Sequence, residues 1–161
     1  MNKNRKAFLY MIAHSEGTST SPATRNNGYD VIVTGVDGEP EIFDDYSEHP
    51  FATGRHPKVV NNRGLRSSAS GRYQFLRRDW YYYKHLLRLK DFGPAAQDTW
   101  AIQLIGERGA LRDIDEGRFE DAVRKCRNLW ASLSGSPYGQ RTNSIDALKE
   151  VFVKSGGKIS L

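Results

Sequence analysis

The chain has 161 residues, 38% of them hydrophobic and 11% aromatic, enough for a folded domain with a sizeable core. No apolar run approaches the roughly 20 residues that span a bilayer, and the single cysteine, Cys126, excludes an internal disulfide. A net charge of +5 and a pI near 9.4 favour polyanionic partners, with nucleic acid, anionic membrane surface and bacterial wall polymer all qualifying.

The basic start, Met1 to Lys6, is followed by no long apolar segment and no small-residue cleavage site, so no secretory signal is expected. Phe8, Met11 and Ile12 recur at helical spacing and predict a helix over Arg5 to Ser15. Gly17 is the residue type that most easily closes a helix in the left-handed conformation. Glu16 then falls at the negative end of the helix dipole, where a carboxylate is disfavoured. The dipole and partial burial would both raise its pKa, as a general acid requires. On spacing alone, such a residue is ordinarily a solvated helix end.

A Ser/Thr/Pro-rich loop leads to the Asn27-Gly28 turn signal. Tyr29 to Thr34 reads as a strand, with Glu41-Ile42-Phe43 returning as its antiparallel partner. Asp44 to Ser70 shows little periodicity and many Gly, Pro, Ser and Asn residues, and is expected to form a mobile lip over a site. Gly71 to Phe75 reads as a short third strand running into a helix whose inner face carries Leu76, Trp80, Tyr83 and Leu87. Pro94 opens the next helix, with Trp100, Ala101, Leu104 and Ile105, ending near Gly109. Phe119, Ala122, Val123, Cys126, Leu129 and Trp130 form the cleanest amphipathic stripe, which makes Cys126 a core residue. A second irregular loop, Ser134 to Gly139, precedes a last helix with Ile145, Leu148 and Phe152. The expected architecture is a single α+β domain over residues 1–161, mostly helical, with a small antiparallel sheet.

Several chemistries fit poorly. His14, His49, His56 and His85 match no zinc spacing, and phosphate-loop, dinucleotide and nucleophile-elbow patterns are missing, so neither metal nor cofactor is expected. Arg72 to Lys84 interleaves basic and aromatic residues in the manner of a single-strand binder, but Asp79 interrupts it, and a helix with Trp80 and Tyr83 in the core is the simpler reading. Carbohydrate remains. The irregular segments supply Tyr29, Tyr46, Tyr73, Gln74 and Tyr138 for ring faces and polar contacts, and Glu16 suits protonation of a glycosidic oxygen.

The residues at this point resemble a known family. Arg5-Lys6-Ala7-Phe8-Leu9, Ser15-Glu16-Gly17-Thr18, Gly28-Tyr29-Asp30-Val31-Ile32-Val33, Asp45-Tyr46-Ser47 with His49-Pro50, Gly71-Arg72-Tyr73-Gln74, Leu89-Lys90-Asp91-Phe92, Glu107-Arg108-Gly109-Ala110-Leu111, and Trp130-Ala131-Ser132-Leu133 with Tyr138-Gly139-Gln140 are similar, in order, to the lambda-type phage endolysins. These are lytic transglycosylases with a lysozyme-like fold, and the similarity runs over nearly the whole chain. It implies cleavage of the β-1,4 bond between N-acetylmuramic acid and N-acetylglucosamine, with Glu16 as the catalytic acid and then base, and a 1,6-anhydro product. It places Tyr73 and Gln74 where relatives bind sugar, and Tyr46, His49 and Tyr138 on or near the lips of the cleft. The segment Val36 to Glu41 and the loop Phe51 to Ser70 depart from the family pattern. A hydrolysing muramidase would need a second carboxylate; Asp37, Asp44 and Asp45 are available, and Asp30 is the preferred candidate, with a role bracing the hairpin as its other reading. Outside enzymes, the reading is a basic wall- or nucleic-acid-binding module without catalysis. The expected partners are peptidoglycan glycan strands, with no nucleic acid and no stable membrane association. With no heptad or apolar surface signal, a monomer is expected. Without a signal segment, synthesis in the host cytoplasm and action in the periplasm would depend on a holin-like protein that breaches the inner membrane.

Overall fold

The structure, a computed structural model, describes residues 1–133 and 143–161. The chain forms two compact units: Met1–Glu16 with Ala101–Leu161, and Gly17–Trp100.

The first unit is helical. Helix α1, Lys3–Ser15, starts two residues earlier than the apolar spacing predicts, because Asn2 caps it and accepts from the Arg5 N–H at 2.8 Å. Its buried stripe of Ala7, Phe8, Met11 and Ile12 packs against helix α6, Ile145–Lys154, and the short helix α4, Leu111–Asp115. Phe8 meets the Phe119 and Phe152 rings edge-on at 6.2 and 6.4 Å, which joins α1 to α6 and to helix α5, Phe119–Cys126. Helix α4 was not anticipated, since five residues are too few to show a period. The apolar stripe read as continuing to Trp130 outlasts its helix: α5 ends at Cys126, a turn from Leu129 N–H to the Cys126 carbonyl follows, and Trp130 is still buried.

The second unit holds the sheets. Strands β1, Val31–Ile32, and β2, Glu41–Ile42, pair antiparallel as the sequence predicts, with Val31 opposite Ile42. The long segment from Asp44 to Ser70 is not structureless. It contains a 3-10 turn, Pro50–Thr53, and a second hairpin of β3, Lys58–Val59, and β4, Arg66–Ser67. These strands are two residues long, too short to carry an alternation that can be read. Asn61 turns the chain between them by accepting from the Arg63 and Leu65 N–H groups, and Glu41 ties the hairpin to β2 through Lys58 at 2.6 Å.

Residues Gly71 to Phe75 are a tight turn rather than a strand. Ser70 and Phe75 exchange both backbone hydrogen bonds, leaving Gln74 at φ +56° and Gly71 at φ +82°. A Cβ on Gly71 would lie 2.4 Å from Gln97 Oε1, so glycine is needed there for space as well as conformation. That oxygen accepts from the Arg72 N–H at 2.8 Å, while Gln97 Nε2 donates to the carbonyls of Tyr29 and Phe92. The core of this unit is aromatic. Phe75 stacks on Trp100 at 3.9 Å, and Trp80, Phe92, Phe43 and His49 surround them. Trp80 belongs to helix α2, Arg77–Leu86, where it is the one fully buried side chain; Tyr83, expected beside it, is half-buried. Helix α3, Pro94–Glu107, starts in this unit and ends in the helical one.

Candidate active site

Glu16 sits where the sequence puts it. It is the C-cap of α1 at φ −76° and ψ −8°, its N–H donates to the Ile12 carbonyl at 2.8 Å, and Gly17 turns the chain away at φ +77°. The buried stripe of α1 fixes the helix, so the carboxyl is carried on a rigid base. Burial pushes the Glu16 pKa up, with hydrogen bonds from Ser132 acting the other way. The Ser132 hydroxyl donates to Glu16 Oε2. Ser132 lies between buried Trp130 and Leu133. Behind it, the Ser15 hydroxyl donates to Ser132 Oγ at 2.7 Å, and Asn143 Nδ2 donates to Ser15 Oγ at 3.1 Å.

The sequence does not reveal Ser15, Ser132 and Asn143 as partners of Glu16. Ser15 adjoins it and Ser132 falls in one of the matching stretches, but the contact spans 116 positions, and a serine carries no periodic or motif signal of such a contact.

The other site residues read from the sequence belong to the second unit, apart from Tyr138, which lies outside the described residues. Asp30 is buried, and both carboxylate oxygens are occupied: Oδ1 accepts from Thr24 Oγ1 at 2.5 Å and Oδ2 from the Arg25 N–H at 2.9 Å. Thr24 Oγ1 also accepts from the Gly28 N–H, so the pair ties together the loop that enters β1. Tyr46 is partly exposed, with its hydroxyl accepting from Asn26 Nδ2 at 3.1 Å.

Tyr73 is buried and donates its hydroxyl to Asp98 Oδ1 at 2.5 Å; the Tyr29 hydroxyl reaches the same carboxylate at 2.9 Å. Burial and the Asp98 charge push both phenol pKa values up. Arg72 lies over the Tyr29 ring at 4.9 Å, completing a buried polar cluster. Gln74 is half-exposed, and its Nε2 donates to the Gly71 carbonyl at 3.0 Å.

His49 is a correction to the sequence reading of a lip residue. It is fully buried, its Nε2 donates to the Phe75 carbonyl at 2.8 Å, and its Nδ1 accepts from the Phe51 N–H at 3.2 Å. The ring is neutral, and burial pushes its pKa down to about 4. With both nitrogens used inside the protein, it has none to offer a sugar. Pro50 carries the chain straight into the 3-10 turn that His49 caps, which is why a histidine in a polar stretch ends up in the core. Among the described residues, no group of three or more His, Cys, Asp or Glu side chains could hold a metal ion.

The family model for endolysins matches residues 6–159. The chain belongs to the endolysin family. The endolysin of Escherichia phage P2 is 58% identical over 156 residues, covering 97% of this chain and 94% of that protein. The endolysin of Escherichia phage lambda is 48% identical over 160 residues, covering 99% and 95%. Among solved structures, bacteriophage lambda lysozyme complexed with a chitohexasaccharide superposes with a TM-score of 0.89 at 47% identity, covering 99% of this endolysin and 98% of that chain. A second structure of lysozyme from bacteriophage lambda gives 0.85 at 46% identity. The fold of this endolysin is therefore the expected α+β, lysozyme-like one. None of its helices is long and apolar enough to cross a membrane, among the described residues.

Proposed function

We propose that this endolysin is a lytic transglycosylase that cleaves the β-1,4 bond between N-acetylmuramic acid and N-acetylglucosamine in bacterial peptidoglycan, with Glu16 as its acid and base. The observation that carries the reading is the contrast between two carboxyls. Glu16 is partly buried at a helix C-terminus, and burial raises its pKa, the direction that suits a general acid. Asp30, the preferred second carboxylate, is buried and accepts from Thr24 at one oxygen and from the Arg25 N–H at the other, which gives it a bracing role in the loop that enters β1. One acid then has to serve both steps.

Glu16 protonates the glycosidic oxygen as the bond to C1 breaks and the N-acetylglucosamine hydroxyl departs. The carboxylate so formed takes the proton of the muramoyl 6-hydroxyl, and O6 closes onto C1 to give the 1,6-anhydro sugar. The proton count balances without water, because the nucleophile belongs to the substrate. The muramoyl N-acetyl group helps stabilise the cationic transition state.

The glycan class is supported by the endolysin relatives and by the chitin hexamer bound to a lysozyme of the same fold. Gln74 and Tyr46, both partly exposed, would meet sugar, one through its amide and one through its aromatic face. The net charge of +5 favours the anionic wall over neutral polymers. As a soluble partner of glycan strands, the protein acts as a monomer on the periplasmic side, delivered there by a holin.

Glu16→Gln keeps the shape and removes the proton. Release of soluble fragments from purified peptidoglycan is expected to fall by roughly a thousandfold, while the variant still sediments with the wall. Unchanged lysis by a folded Glu16→Gln protein would end the assignment.

A further inference from the structure

The hydroxyl chain behind Glu16 takes no part in the steps above, yet its donors all run one way. Asn143 Nδ2 lies 3.1 Å from Ser15 Oγ, 3.3 Å from the Ser132 carbonyl and 3.5 Å from the Ser15 carbonyl. Two of these partners are carbonyl acceptors, so the amide nitrogen, which only donates, is the atom facing them. Ser15 Oγ receives that bond and passes its own proton to Ser132 Oγ at 2.7 Å, the shorter of its two contacts, the other being the Ser132 carbonyl at 3.2 Å. Ser132 then has one proton left, and it points at Glu16 Oε2.

Resting on the reading of Glu16 as the acid, we infer that Ser132 is a positioning residue, aligned by Ser15 and Asn143, that reserves Glu16 Oε2 as an acceptor and so places the working proton on Oε1. In a carboxylic acid the oxygen that accepts a hydrogen bond is the carbonyl one, and the proton stays on its neighbour. The Ser132 N–H also bonds the Glu16 carboxyl, so what the chain adds is the directed hydroxyl. With it, Oε1 gives the proton to the leaving oxygen and takes the 6-hydroxyl proton back, with the carboxyl fixed throughout. The chain is well anchored. The Asn143 N–H donates to the Ser132 carbonyl at 3.0 Å, which clamps positions 132 and 143 together. Ser144, next in sequence, caps α6 through the Ala147 N–H at 3.1 Å. Successive donors also polarise one another.

The test uses Ser132→Ala and Ser132→Thr in the full chain. It reads kcat and KM on purified peptidoglycan against pH, chitohexasaccharide binding, and the titration of the Glu16 carboxyl carbon by 13C NMR. Ser132→Ala is expected to lower kcat roughly 10- to 100-fold with KM and oligosaccharide binding unchanged. The Glu16 titration moves to higher pH, because a donor that favours the carboxylate is gone. Ser132→Thr keeps the hydroxyl and restores both. A wild-type rate and titration in Ser132→Ala overturn the proposal, and so does a loss that threonine fails to restore or that leaves the titration in place, which would mean packing alone. Should Ser132→Ala fail to fold, Ser15→Ala breaks the chain one hydroxyl further back, and an unmoved titration there is equally fatal. Glu16→Gln separates the two claims. If it stays active, the acid assignment falls; if it is inactive while Ser132→Ala is wild type, only the positioning role falls.

Discussion

Burial drives Glu16 and His49 toward their neutral forms with opposite results. For Glu16 the neutral form carries the proton that the proposed mechanism gives to the glycosidic oxygen and then recovers. For His49 the neutral form is what lets an imidazole sit in an aromatic core between the Phe75 carbonyl and the Phe51 N–H. Because its folded pKa, about 4, lies below the unfolded value near 6.5, the unfolded chain binds the extra proton first. Stability is therefore fully present above about pH 6.5 and is lost as pH falls toward 4, by up to about 1.4 kcal/mol per pH unit. Urea unfolding between pH 7 and 4 checks this. A folded His49→Gln variant, which cannot titrate, is expected to show a flatter profile over that window. At this scale Glu16 was legible, since a helix stop and an acid are both local signals. His49 and Ser132 were not. The fate of the first is set by the 3-10 turn it caps, and that of the second by a contact across 116 positions.

The loop from Thr24 to Asp30 shows how one side chain can hold an element. Thr24 accepts from the Gly28 N–H and donates to Asp30, whose other oxygen closes on the Arg25 N–H, so the segment enters β1 already folded on itself. Asp30→Asn replaces one acceptor oxygen by a donor. It is expected to lower the unfolding free energy by about 1–3 kcal/mol, while the folded variant gives the same muropeptide products as wild type. A change in product type would return Asp30 to the chemistry. The first hairpin was readable from its β-branched run and the turn residues between Gly35 and Pro40. The second was not, because its two-residue strands are held by an Asn61 side chain and a Glu41–Lys58 pair rather than by any pattern of burial. The turn from Gly71 to Phe75 looked like a strand for the converse reason. Its aromatic residues are buried, but by the reciprocal Ser70–Phe75 pair and the Gln97 side chain rather than by a ladder.

At the scale of the molecule, likeness to the phage endolysins extends over 97–99% of the chain, through the helical unit that carries Glu16 and the unit that carries Gln74. The order of matching stretches made the family and fold legible from sequence, because it summed many weak local constraints. A transglycosylase and a hydrolase both release sugar from the wall and differ in whether water enters the reaction. Mass spectrometry of muropeptides released from purified peptidoglycan decides it. The account predicts fragments ending in 1,6-anhydromuramic acid, one water lighter than their hydrolysed counterparts. Fragments ending in reducing muramic acid would contradict it and require a carboxylate or water-binding group beyond Glu16.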